Sequence, residues 1–163
     1  MIRATQVYLD ANFLVALSRP AHIWHANAQA LQTALQEREV KLNLSALAFN
    51  EAIYQLLRLA QRDGAGDESI LDEALFGAGE TKNYAPVLNR LDEMVLSLPG
   101  LQFFEPPNAK MHRRVLRAIS ELGLDPTDAF HYEAAHRLNC PLVSNDVQFQ
   151  RVPDPNLTII TFF

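Results

Sequence analysis

The sequence predicts a three-layer α/β/α sandwich on a mainly parallel sheet of about five strands. Three observations lead there. Short apolar runs such as Val7-Tyr8-Leu9 and Pro141-Leu142-Val143 alternate with longer stretches of helical spacing, the pattern of strands joined by helical crossovers. Acids follow closely on these runs, Asp10 after Leu9 and Asp146 after Ser144-Asn145, and the C-terminal edge of an open α/β sheet is where ligands bind. The length of 163 residues suits one domain, 1–163, with a single core.

Taken in order, Thr5 to Leu9 reads as a buried first strand and Ala11 to Ser18 as a short helix stopped near Pro20. Ile23 to Glu39 carries Trp24, Ala28, Leu31 and Leu35 at helical spacing. Val40 to Leu44 is a second strand, and Ser45 is an N-cap for the helix that follows. That helix runs to about Arg62, with Leu47, Ile53, Leu56, Leu57 and Ala60 available for its buried face, and Asp63-Gly64-Ala65-Gly66-Asp67 breaks it. Glu68 to Leu98 keeps a helical pattern interrupted by Gly77, Gly79 and Pro86. It predicts two helices, a helical excursion at about 67–98.

Leu101 to Phe104 is the third strand, and Ala109 to Leu122 an amphipathic helix with its arginines outward. Pro126 to Leu138 forms the next helix and Pro141 to Val143 the fourth strand. Val147 to Arg151 is a short helix or turn, and Leu157 to Thr161 the fifth strand. Right-handed crossovers gather the C-terminal strand ends on one edge. No internal repeat or low-complexity linker interrupts the pattern.

Composition narrows the function classes. The chain is 48% hydrophobic and 20% charged, as expected of a soluble globular protein. Its only cysteine, Cys140, excludes an internal disulfide and agrees with a reducing cytoplasm. No charged-then-apolar leader is expected, because Asp10 and Asn12 interrupt the first apolar stretch. No run approaches the roughly 20 apolar residues of a membrane-spanning helix. A net charge of −5 argues against a protein that holds nucleic acid by phosphate contacts alone. It weighs less against a metal nuclease, whose carboxylates are partly neutralised by ions. Arg113, Arg114, Arg117 and Arg137 still offer a local basic face.

Asp10, Glu51, Asp128 and Asp146 all map to the same expected sheet edge. Singly, each has a structural explanation. Asp125-Pro126 is an N-cap and N1 pair, with Asp128 at N3 facing the helix dipole. Asp146 suits a cap for the short helix after strand four, and Glu51 an exposed helical position. Asp10 is hardest to explain structurally, since nothing in Ala11-Asn12-Phe13-Leu14 calls for a charge. Brought together, the four would repel unless a cation held them ionised. The set therefore suggests a site for a hard divalent metal, and two such ions can flank a phosphodiester. Asn12 and Ser144 are short polar residues suited to holding carboxylates or water around it.

These segments resemble the PIN-domain ribonucleases, and within them the VapC-type toxins of bacterial and archaeal toxin–antitoxin pairs. The resemblance rests on Val7-Tyr8-Leu9-Asp10-Ala11-Asn12 and on Ser45-Ala46-Leu47-Ala48-Phe49-Asn50-Glu51. It continues through Asp128-Ala129-Phe130-His131-Tyr132-Glu133-Ala134-Ala135 and Leu142-Val143-Ser144-Asn145-Asp146-Val147-Gln148-Phe149. The resemblance implies a single PIN-like domain acting as a metal-dependent endoribonuclease. Asp10, Glu51, Asp128 and Asp146 would be its metal-holding catalytic quartet, with Asn12 and Ser144 as polar companions and Asp125 as an additional acid nearby. It implies Mg²⁺ or Mn²⁺ as cofactor, single-stranded or looped RNA as substrate, a protein antitoxin as partner, and a homodimer in the cytoplasm. The segment at 68–98 looks longer than the helical pair of many such toxins.

Other readings are a PIN-like nuclease outside a toxin pair and a catalytically idle PIN-like domain for RNA binding or assembly. A phospho-accepting receiver needs an acid adjacent to Asp10 and a late lysine, and no lysine follows Lys110. A magnesium-dependent phosphatase lacks its paired aspartates after strand one. His131 is expected to be a packed, hydrogen-bonded histidine, and His22 and His25 to lie on a helix-start surface. Phe103, Phe104, Phe130 and Phe149 are expected in the core. Cys140 has no His or Asp partner in sequence to make it a nucleophile.

Overall fold

The computed structural model describes residues 4–65, 85–104 and 109–163. In chain order these form β1 (Gln6–Leu9), α1 (Ala11–Ser18), α2 (His25–Gln36), β2 (Lys41–Ser45) and α3 (Ala46–Ala65). There follow α4 (Ala85–Leu96), β3 (Leu101–Phe104), α5 (Ala109–Leu122), α6 (Pro126–Leu138), β4 (Leu142–Val143), α7 (Val147–Gln150) and β5 (Ile159–Ile160). The sheet runs β3-β2-β1-β4-β5, and every pairing is parallel.

That order has a functional consequence. From central β1 the chain winds outward through β2 to β3, then returns to the other side of β1 for β4 and β5. The reversal lies between β1 and β4, where Tyr8 pairs with Leu142 and Leu9 with Val143. A crevice at the carboxyl ends of two such strands is the usual ligand position of an open α/β sheet.

The strand residues alternate between two cores because successive side chains leave a strand on opposite faces. Val7, Leu9, Leu42, Leu44 and Val143 face one way and pack with side chains of α1, α2, α3 and α4. Tyr8 and Leu142 face the other way and pack with Met111, Val115, Ala129 and Tyr132 of α5 and α6. The single core expected from chain length is thus divided in two by the sheet, with helices covering both faces.

Of the segment at about 67–98, residues 67–84 lie outside the described residues. The remainder packs inward, since Leu91, Val95 and Leu98 are buried in the same core as α1. Helix α3 continues through Asp63, Gly64 and Ala65, where the sequence predicted a break. Gly66 and Asp67, the rest of that expected break, lie outside the described residues, and a single glycine in a helix costs only about 1 kcal/mol. Gly123 ends α5 at φ 69°, a left-handed turn that favours glycine.

Phe149 is buried, but Phe103 is 59% exposed, contrary to the core position expected for it. It lies on β3, an edge strand with only β2 beside it, and meets Phe49 edge-on at 6.2 Å. Phe104 and Phe130 are half-buried against the second core.

Candidate functional site

Asp10 is the first residue past β1 and sits at the β1–β4 crevice, 4% exposed. Its Oδ1 accepts from the Ala11 backbone N–H at 2.6 Å. Its Oδ2 accepts from Ser144 Oγ at 2.6 Å and from Asn12 Nδ2 at 2.7 Å. Asn12 Nδ2 also reaches Ser144 Oγ at 3.0 Å, and Asn12 Oδ1 accepts from the Asn145 N–H at 3.3 Å. Two short polar residues thereby join the end of β1 to the end of β4.

Asp146 follows β4 and caps α7, accepting from the Gln148 N–H at 2.7 Å while its own N–H donates to Ser144 Oγ at 3.0 Å. Asp125 caps α6, accepting from the N–H groups of Thr127 and Asp128, both at 2.9 Å. Asp128, in the first turn of α6, is 7% exposed, and its Oδ2 is buried with no hydrogen-bond partner among the described residues. Burial, then the charges of Asp125, Asp146 and Asp10, push its carboxyl up to about 7, against the opposing pull of His131. Burial also raises Asp10, with Glu51 adding to the effect, while His131, Ser144 and the Ala11 N–H oppose it. A bare carboxylate group in this crevice is electrostatically unfavourable, and a cation relieves that.

Glu51 approaches from α3. Its Oε1 accepts from Gln55 Nε2 at 3.2 Å, and its Oε2 lies 3.1 Å from His131 Nε2. His131 is fully buried, and the same nitrogen is 3.6 Å from Asp10 Oδ1. Behind it, Nδ1 lies 2.9 Å from the Tyr8 hydroxyl, which lies 2.6 Å from Ser45 Oγ. Ser45 Oγ in turn accepts from the Ala48 N–H at 3.1 Å, so Ser45 does cap α3. Burial opposes the charged imidazolium, but the Glu51 hydrogen bond and the charges of Asp10, Glu51 and Asp128 outweigh it and raise the His131 pKa.

Asp10, Glu51 and His131 therefore offer donor atoms that all lie within 4.8 Å of one another. Asp128 lies near enough to feel the charges of both Asp146 and Asp10. Asp125 stands one step back as the α6 cap. His131 is packed and hydrogen-bonded as expected, but its partner is one of the acids. Its spacing from Asp128, one helical turn on the same face of α6, was the available signal. Tyr8 and Ser45, read from sequence as strand and cap, also form the chain behind His131. Cys140 is buried, and burial pushes its thiol up to about 12, far from a nucleophilic thiolate. His25 Nδ1 binds the Ala16 carbonyl at 2.8 Å, and His22 Nδ1 accepts from the Trp24 N–H at 3.2 Å, both at the helix start.

The PIN domain family model matches residues 7–155. No match was found among curated protein sequences. Among solved structures, VapBC2 from Rickettsia felis, bound to a DNA fragment from its promoter, aligns with a TM-score of 0.66 at 17% identity, covering 97% of this chain and 99% of that one. PAE2754 from Pyrobaculum aerophilum aligns at 0.59 and 20% identity over 96% and 91%. The sarcin-ricin loop cleaving toxin VapC20 of Mycobacterium tuberculosis aligns at 0.57 and 10% identity over 88% and 92%. At these identities the likeness is one of fold. Among the described residues, no helix is long and apolar enough to cross a membrane.

Proposed function

The chain belongs to the PIN domain family, and from that premise we propose that it is a metal-dependent endoribonuclease, the toxin of a toxin–antitoxin pair. The observation that carries this reading is the convergence of buried carboxylates on the β1–β4 crevice, with Asp128 Oδ2 left without a partner among the described residues. Hard oxygen donors in this number fit Mg²⁺, with Mn²⁺ as the alternative. Asp10, Glu51, Asp128 and Asp146 would hold the ion. Such an ion, when bound, lowers the pKa of water and offsets charge on a phosphodiester.

The chain's own groups set the geometry. Ser144, Asn12 and the Ala11 N–H hold both oxygens of Asp10. Asp125 and Asp146 use their caps to orient the first turns of α6 and α7. Attack by water at phosphorus breaks the bond to the leaving ribose oxygen and gives a 5′-phosphate and a 3′-hydroxyl. Single-stranded or looped RNA is the substrate, since splayed bases can be read. The exposed Arg113, Arg114, Arg117 and Arg137 are available to its phosphates. We read 1–163 as one domain with a helical excursion at about 67–98, working as a cytoplasmic homodimer restrained by a protein antitoxin.

The test is cleavage of a mixed structured RNA pool with Mg²⁺, Mn²⁺ or EDTA, alongside Asp10→Asn. Metal-dependent cutting with 5′-phosphate ends, lost in the variant, is the expected result. Equal cutting by folded Asp10→Asn overturns the assignment. No cutting by folded protein with either metal moves it to a catalytically idle RNA-binding or assembly domain.

A further inference from the structure

Resting on the metal-dependent reading above, we propose that His131 is itself a ligand, making the centre a mixed nitrogen–oxygen site rather than an all-carboxylate one. Its Nε2 stands 3.1 Å from Glu51 Oε2 and 3.6 Å from Asp10 Oδ1, and the three donor atoms all lie within 4.8 Å of one another. Adjacent donors on one ion, each bound at about 2.1 Å, lie roughly 3 Å apart. The two spacings from Nε2, 3.1 and 3.6 Å, are therefore those of donors able to share a cation.

A hydrogen bond alone accounts for less of this arrangement. One imidazole N–H satisfies one acceptor, here Glu51, and 3.6 Å is too long for a second bond to Asp10. Asp128 Oδ2, one helical turn before His131, is buried and has no partner among the described residues. A cation shared by Nε2 and the two neighbouring carboxylates would satisfy all three together.

The rear of the ring is built for a ligand. Metal-binding imidazoles almost always use the second nitrogen to donate to an oxygen, which fixes tautomer and ring plane. His131 Nδ1 has the Tyr8 hydroxyl at 2.9 Å, and Tyr8 is held by Ser45 Oγ at 2.6 Å, which the Ala48 N–H anchors in turn. These partners come from β1, β2 and α3, so three elements hold the ring still. Nδ1–H donating to Tyr8 leaves the Nε2 lone pair facing the carboxylates.

A nitrogen donor changes the metal preference. Imidazole suits first-row transition ions, whereas Mg²⁺ prefers oxygen and water. The mixed site thus binds Mn²⁺ or Co²⁺ more tightly than Mg²⁺, and His131→Gln narrows that gap.

The test is pulsed electron paramagnetic resonance of the full chain loaded with Mn²⁺, which reads directly bound nitrogen without RNA or turnover. The expected spectrum carries a ¹⁴N coupling that changes to the ¹⁵N pattern on histidine labelling and disappears in His131→Gln. Replacing His22, His25, His112 or His136 by Gln, one at a time, leaves it. Should His131→Gln fail to fold, those four variants still assign the nitrogen by elimination. Bound Mn²⁺ without nitrogen coupling overturns the His131 ligand and leaves the carboxylate centre standing. No Mn²⁺ binding at all overturns the metal-dependent reading with it.

Discussion

Ser144 Oγ donates to Asp10 Oδ2 across 2.6 Å, tying the carboxyl end of β4 to that of β1 at the point where the sheet order reverses. The bond opposes the rise that burial imposes on the Asp10 carboxyl. The same hydroxyl receives the Asp146 N–H at 3.0 Å, so one serine positions two acids.

Ser144→Ala removes both contacts, and the 3.0 Å one from Asn12 Nδ2, while deleting little volume. Partners that hold metal ligands typically contribute a factor of about 10–100 in affinity or activity. We expect a loss of that size in Mn²⁺ affinity and in cleavage, with an unchanged circular dichroism spectrum. An unaltered metal titration would show that Asn12 and the Ala11 N–H suffice.

In the metal-free protein, stability falls as pH rises from 3.8 toward 7. Asp128 keeps its proton to about 7 in the fold but loses it near 3.8 when unfolded, so between these values the folded state holds more protons. The raised pKa of Asp10 acts in the same direction from 3.8 upward, and that of His131 from 6.5 upward. Asp128→Asn removes much of the slope. In EDTA above pH 7 it should melt higher than the parent, by roughly 3 °C for each kcal/mol relieved, while Mn²⁺ should stabilise only the parent. Parallel melting curves would contradict this.

Asp154 fastens the segment after α7 to α6. Its Oδ2 accepts from the Tyr132 hydroxyl at 2.6 Å and pairs with His136 Nε2, and its Oδ1 accepts from the Asn156 N–H at 2.8 Å. The Tyr132 hydrogen bond, despite burial and with help from Asn156 and His136, holds its carboxyl down at about 2. This contribution is present above pH 3.8 and is lost as pH falls toward 2. Asp154→Ala should cost about 2 kcal/mol in urea unfolding at neutral pH, and markedly less in acid.

Leu91 of α4 is 1% exposed within the core shared with α1. Leu91→Ala should cost about 3 kcal/mol by denaturant unfolding. A cost below about 0.5 kcal/mol, as at a surface position, would mean that α4 does not pack there in solution.

Arg113, Arg114 and Arg117 form an exposed basic edge of α5. If they meet RNA phosphates, each Arg→Ala change weakens binding across sequences and lowers the salt slope by about 1. Filter binding with the Asp10→Asn protein at several salt concentrations measures this without cleavage, and an unchanged slope would place the RNA elsewhere.

Periodicity and turn chemistry made the element order legible from residues alone. Apolar runs of β1 and β4 read as buried strands, and Asp125-Pro126 announced the start of α6, because these signals are local. Acids placed just after strands pointed to one edge, since parallel crossovers leave few alternatives. Helix α3 reaches Ala65, past the expected start of the break at Asp63, and Phe103 is exposed rather than in the core. A single glycine weakens a helix by too little to end it alone, and an aromatic in a strand is buried only if another layer covers that face.

Local order in the chain thus specified a parallel α/β sheet with acids along one edge. It did not specify how they meet, because Asp10 and Ser144 approach only after β1 and β4 pair. Likewise His131 acquires its meaning from Glu51, Asp10 and Tyr8, which other elements bring to it. A side chain's type and helix position follow from sequence neighbours. Its hydrogen-bond partner, burial and pKa depend on groups distant in the chain, which come together only once the sheet and its two helical layers have packed.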